Sequence, residues 1–271
     1  MPGALAGPPV GRATAGRLVL VLLALAAAGA GAAQTPEDLP EHTIPRAAGS
    51  LSIDGRLEEP SWSAAPVIDD FGFPWWTSGE KERTEARMLW DDEGLYVAFV
   101  AYDTHIWASL TERDAPVSRD DCVEVFVAPD TSAVGTYFNF EFNALGTILD
   151  RSPRDNRSSS WNAEAVRVAI SIDGTLNDES DQDSLWTAEI AIPFASFAPF
   201  APRLPPQDGD TWRLNLYRTG GRANLQYMTW SDTRTQTPQF HVPERFGIVH
   251  FSGIPVTAVN DSSWGDVKRG K

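Results

Sequence analysis

Two stretches of this chain carry polar side chains at spacings suited to reading hydroxyl groups: DDCVEVFVAPD at 120–130 and YFNFEFNALGTILD at 137–150. Both alternate with period two, the mark of a β-strand with two unlike faces. Val123, Val125 and Val127 point one way, and Cys122, Glu124 and Phe126 the other. Phe138, Phe140 and Phe142 then make an apolar face opposite Tyr137, Asn139, Glu141 and Asn143. A third row comes from 211–217, where Arg213, Asn215 and Tyr217 alternate with Trp212, Leu214 and Leu216. A merely solvated face favours Lys, Thr, Ser and mixed charge. Rows of amides and carboxylates suit the ring hydroxyls of a sugar, where a bond to a charged group is worth ~1.5–3 kcal/mol. An aromatic face stacked on axial C–H groups adds roughly 0.5–1.5 kcal/mol. Trp107 and Trp161, at loop–strand junctions, are the platforms expected beside the polar face. Such a shallow site reaches about millimolar to micromolar affinity. The same residues admit a second chemistry, in which Glu124 and Glu141 form a glycosidase pair ~5–5.5 Å apart. Nothing in the sequence marks either as the acid, so the non-catalytic reading is preferred.

The elements that would position these groups are short strands between Gly, Pro and Asp punctuation. Candidates fall at 51–53, 64–70, 84–91, 95–102, 121–128, 136–143, 163–171, 185–192, 211–217, 226–230 and 247–251. Helical periodicity never lasts beyond a turn or two. The pattern predicts an all-β fold: an antiparallel β-sandwich of two sheets, jelly-roll or immunoglobulin-like in architecture. Trp90, Trp186 and Trp212 share strand faces with apolar neighbours and are expected in the core, with Trp62 packed as well. Cys122 is the only cysteine, so an internal disulfide and CxxC sites are excluded. The thiol is expected to be inert and partly buried.

The N-terminus reads as a targeting segment. Arg12 and Arg17 precede an apolar run, Leu18 to Ala28, followed by small residues. That order predicts a signal peptide over 1–33, a linker over 34–46, the domain over 47–253 and a loosely ordered tail over 254–271. The expected location is secreted, periplasmic or at the cell surface, with no membrane contact after cleavage. Arg12 and Arg17 are the only charges in 1–33, so the net charge of −15 becomes −17 without them. Such a chain repels nucleic acid and anionic membranes and tolerates a neutral polysaccharide or a cation. Oligomeric state is not legible.

The motifs, taken in order, also resemble a family. IDGRLEEPSW (53–62), RMLWDDEGLYVAFVAYD (87–103), DDCVEVFVAP, the FNFEFNALGT strand, WTAEIAIPF (186–194), GDTWRLNLYR (209–218), MTWSD (228–232) and PERFGIVHF (243–251) are similar to family 9 carbohydrate-binding modules. The resemblance spans roughly residues 44–252. It implies a non-catalytic module for xylan- or cellulose-like glycans, an accessory to polysaccharide-degrading enzymes. It matches Glu124 to a sugar-contacting glutamate and places Asn215 near a contacting amide. Two sugar-gripping tryptophans of the family align with Ser118 and Phe240, and a contacting arginine aligns with Glu141. Either Phe240, His241, Trp107 or Trp161 replaces the lost aromatic pair, or the ligand differs, or the domain is a structural module. The resemblance also implies a structural calcium ion, for which Asp120, Asp121 and the 177–183 loop offer oxygens. A haem-binding relative of the same sandwich class stays open, with Met88, Met228, His105 and His241 as axial candidates. No other cofactor is expected.

Overall fold

The computed structural model describes residues 39–153, 161–198 and 200–257. The expected signal peptide, the first part of the linker and the tail beyond 257 lie outside the described residues. Twelve strands form along the chain: β1 (Glu41–Arg46), β2 (Val67–Ile68), β3 (Thr84–Trp90), β4 (Gly94–Tyr102), β5 (Cys122–Ala128), β6 (Phe138–Asn143), β7 (Ile148–Arg151), β8 (Arg167–Asp173), β9 (Leu185–Pro193), β10 (Thr211–Thr219), β11 (Tyr227–Thr229) and β12 (Gly247–Pro255). One short helix, α1 (Pro60–Ala64), buries Trp62. The all-β reading therefore holds. Hydrogen bonds connect the strands into one curled mixed sheet, in the order β7-β6-β5-β10-β12-β1-β3-β4-β9-β8, with β11 on β10 and β2 on β3.

Antiparallel pairing holds everywhere except at β1. That strand runs parallel to β12 and touches β3, also parallel, through the single pair Arg46–Trp90. Residues 41–46 were expected to be linker, and this is a correction. The segment is too short and too polar for a clear alternation, and Pro45 argues against a central strand. Pro45 is tolerated because the ladder shifts register between it and Arg46, where a missing N–H costs little.

The two arms of the sheet share one core. Met88, Trp90, Val97, Phe99, Trp186 and Ile190 from the β3-β4-β9 arm meet Val123, Val125, Val127, Phe138, Phe140, Phe142, Leu214 and Leu216 from the β5-β6-β10 arm. Each Val or Phe so buried stabilises the fold by ~1.5–3 kcal/mol relative to exposure. At the end of β10 this inner face turns ionic. Arg218 is fully buried and donates to Glu82 (3.2 Å), Asp103 (2.9 Å) and the Tyr102 carbonyl (2.8 Å). One guanidinium thus ties β10 to the two segments flanking β3 and β4.

Glu189 does similar work for the chain before β2. It is wholly buried in β9 and accepts from the N–H groups of Asp54 and Gly55 (both 2.9 Å) and from Trp62 Nε1 (2.8 Å). The segment around residues 51–53, expected as a strand, is instead an irregular loop pinned by this carboxylate.

Candidate functional site

The polar alternation of β5, β6 and β10 does put one set of side chains on a common face. Register places Glu141 opposite Glu124, and Tyr217 opposite Glu124 from the other side. Asn139 and Asn215 both oppose Phe126. This face does not look into solvent, however: every residue of β5 and β6 is buried. The segment from Pro238 to Phe246 lies over it. Phe240 stacks on Tyr217 with centroids 4.2 Å apart and planes 13° off parallel, and its carbonyl accepts from the Tyr217 hydroxyl at 2.8 Å. His241 packs its ring 4.9 Å from Phe126, with Nδ1 2.8 Å from the Tyr137 hydroxyl.

Cover and face leave a cavity of about 300 Å³ between them, at the lower end of ligand pockets, ~300–1,000 Å³. Glu124, Glu141 and Thr219 line it, together with Ser118 and Arg119, Tyr227, and the 238–241 segment. Ser118 and Phe240 are the positions aligned with the two sugar-gripping tryptophans of the resembled family, and both border this one cavity.

Its electrostatics are set by the facing carboxyls. Glu124 is 2% exposed and Glu141 is 7% exposed. Burial, opposed by Arg151, by Asn139 and by the Ser118 hydroxyl, leaves Glu141 raised to about 7. Asn139 Nδ2 donates to Glu141 Oε1 at 3.1 Å. Glu124 is pushed well above the ordinary carboxylate range, first by burial and then by the charge of Glu141. The pair therefore shares a proton near neutrality: Glu141 ionises first, and its charge keeps the proton on Glu124. Glu124 Oε1 is buried without a hydrogen-bond partner, and the buried Thr219 hydroxyl, beside the Glu124 carboxyl, works against its upward shift. One acid that can donate and one that can accept is a fitting floor for a polyhydroxyl ligand.

The structure brings Glu124, Glu141, Phe240 and His241 to this cavity, with Asn139 bonded to Glu141. The other expected site residues stand elsewhere, and each has a physical reason. Asn143 donates to the Leu110 carbonyl and to Asp120, and accepts from the N–H groups of Leu145 and Thr147, so it builds the turn into β7. Asn215 exchanges bonds with the Ser231 backbone and is wholly buried. Arg213 donates to the carbonyls of Phe246 and Glu244, fastening the cover to β10. Trp107 is half-buried under the Arg222 guanidinium, 4.4 Å from its ring. Trp161 lies on the core face of β6, packed 5.5 Å from Phe138 and 6.2 Å from Phe140, so it is no platform beside Asn139 and Glu141. Thr219 and Tyr227 were missed. Thr219 continues the 213–215–217 alternation by one step and was within reach of the pattern. Tyr227 sits on the three-residue β11, too short to show a period.

The residues named for a metal are engaged within the fold. Asp120 accepts from the N–H groups of Ser109 and Leu110, and Asp121 from those of Trp107 and Gly221, which secures the 107–110 segment against β5. Asp183 accepts from Ile106 N–H and Thr175 N–H. Among the described residues no three carboxylates, imidazoles or thiols gather as a metal site. Met88 is wholly buried in the core, and Met228 accepts from the Thr84 hydroxyl at 3.2 Å, so neither faces His105 or His241 as a haem ligand would. Cys122 is wholly buried and its thiol is pushed up by burial, as expected of an inert residue.

The model of carbohydrate-binding family 9 matches residues 67–251. Among curated proteins, none matches the chain in sequence. Three solved structures share the fold. A candidate carbohydrate-binding protein of Bacteroides uniformis ATCC 8492 is 22% identical, covers 78% of this chain and 99% of its own, and superposes with a TM-score of 0.66. A family 9 module of Caldicellulosiruptor kristjanssonii in complex with cellotriose is 14% identical over 78% of this chain and 94% of its own, with a TM-score of 0.54. The same organism's module with glucose gives 15%, 78%, 96% and 0.53.

Proposed function

The chain belongs to carbohydrate-binding family 9, and from that premise we propose that it binds a glycan unit in the cavity over Glu124 and Glu141. Modules of this family bind without catalysis, and this chain is such a module. The hydrolytic reading of the two glutamates gives way to that membership. One observation carries the assignment to this cavity: a buried donor–acceptor acid pair lines it together with Phe240 and Tyr227. Ring C–H groups would stack on Phe240 or Tyr227, at roughly 0.5–1.5 kcal/mol each. Hydroxyls would bond Glu124, Glu141 and the Thr219 hydroxyl beside them.

The relatives solved with cellotriose and glucose support a β-linked glucan as the ligand class. The shared core supports a reading of the two sheet arms as the layers of a jelly-roll sandwich. The order of charge, apolar run and small residues in 1–33 supports export, and a mass spectrum of exported protein starting near Gln34 would agree with it. Calorimetry with cello- and xylo-oligosaccharides, beside a reducing-sugar assay, tests the function. Heat without released sugar is the expected result. Silence with every glycan would refute it.

A further inference from the structure

The floor of the cleft offers more than a neutral sugar uses. Glu124 and Glu141 face each other from adjacent strands, and both are more than nine-tenths buried. Glu141 takes its amide bond from Asn139, a neutral donor. Glu124 Oε1, on the cavity wall, takes none. Two carboxylates this close and this dry cannot both ionise without an opposite charge between them. The hydroxyls of a neutral ring can bond them but bring no charge. An ammonium brings both charge and donors, and bonds of that kind are about twice as strong as neutral ones.

The surroundings point the same way. Tyr227 and Phe240 border the cavity, and aromatic faces attract a cation placed over them. The chain carries a formal net charge of −15, which draws a polycation toward it. Two basic groups act against this, Arg119 on the cavity lining and Arg151 at the end of β7. Arg151 acts on Glu141, but neither cation is a neighbour in register of Glu124, whose cross-strand partners are Tyr217 and Glu141. Resting on the carbohydrate-binding reading above, we propose that the cleft selects an amino sugar, a β-linked glucosamine-type unit whose ammonium is held by Glu124 and Glu141. Such a chain keeps the ring shape of a cello-oligosaccharide and exchanges one hydroxyl per ring for an amine, so stacking on the aromatic walls is retained.

The test compares three trimers by calorimetry on the full chain at pH 7 and 0.15 M salt: β-1,4-linked glucosamine, its fully N-acetylated form, and cellotriose. The glucosamine trimer should bind about tenfold or more tighter than the other two, the equivalent of one charge-assisted bond. In Glu124→Gln/Glu141→Gln the ratio of glucosamine-trimer to cellotriose affinity should fall to about one, both ligands losing hydroxyl bonds to the altered pair. Cellotriose binding as tightly as the glucosamine trimer would overturn the amino-sugar proposal and leave the carbohydrate function standing. A preference that survives in the double variant would mean attraction by the acidic surface, which also overturns it. Silence with all three trimers would overturn this proposal, and silence across other glycans as well would take the function with it. If the double variant fails to fold, Glu124→Gln alone serves, and the comparison of trimers on the unaltered protein is decisive without either.

Discussion

Glu141→Gln should make the protein more stable at alkaline pH and nearly unchanged at acid pH. The folded carboxyl is raised from an ordinary 4.5 to about 7, chiefly by burial. Below 4.5 the group is protonated in folded and unfolded chains alike and costs nothing. Between 4.5 and 7 the unfolded chain gives up its proton while the folded chain keeps it. Stability therefore falls as pH rises through this window, and the loss is complete above about 7. A gap of that size corresponds to roughly 3 kcal/mol. Glutamine keeps the shape and the acceptor oxygen for Asn139 Nδ2, and its amide offers a donor toward Glu124, whose Oε1 lacks a partner. It does not titrate, so its share of the fall should be absent. Urea unfolding followed by tryptophan fluorescence from pH 5 to 8 reads the difference directly. At pH 5 the two proteins should agree within about 1 kcal/mol, and at pH 8 the variant should lead by ~3 kcal/mol. Asp121, raised to about 8, and Asp150, raised to about 6, tilt both curves equally and cancel in the comparison, while Glu124, relieved of the charge of Glu141, adds to the variant's lead. Parallel stability–pH curves for the two proteins would refute the reasoning, because they would mean that Glu141 is solvated in the folded state.

Three further outcomes follow from the same geometry. Phe240→Ala should open the cavity, lower glycan affinity by about tenfold and cost ~1–2 kcal/mol of stability, since the ring also covers Tyr217; unchanged calorimetric affinity would place the ligand elsewhere. Trp161→Ala should cost about 2 kcal/mol or more through the void left against Phe138 and Phe140, while glycan titrations stay the same; a loss of binding at constant melting temperature would restore it as a stacking platform. Glu189→Ala should cost ~3–5 kcal/mol because three donors from Asp54, Gly55 and Trp62 lose their acceptor; a drop under 1 kcal/mol in chemical denaturation would show that water replaces the carboxylate.

The strands were legible wherever a hydrophobic period ran long enough. β5 and β6 begin and end within a residue or two of the expected segments, and their Val and Phe faces lie in the core. Trp90, Trp186 and Trp212 are core residues, as their apolar neighbours on the same faces require. β1 was not legible, because its pairing rests on a strand some two hundred residues away and its own six residues carry a proline. No local signal reports a partner at that distance.

The site was half legible for a different reason. Alternation says which side chains share a face, but not what lies above that face. Here the 238–246 segment covers it, and the cover decides the fate of each polar group beneath. Arg213 becomes a fastening for the cover, Asn215 bonds the backbone of Ser231, and Tyr217 carries Phe240. Only where the cover lifts, over Glu124 and Glu141, do polar side chains still border space. A buried polar group must find a partner or lose ~1–3 kcal/mol, so most of a covered polar row is consumed by structure. The one still unpartnered at this cavity, Glu124 Oε1, is left for a ligand. The same logic separates Asn143 from Glu141, two residues apart on one strand face: Asn143 has its donor and acceptor engaged in the turn into β7, whereas Glu141 receives one amide and faces another acid.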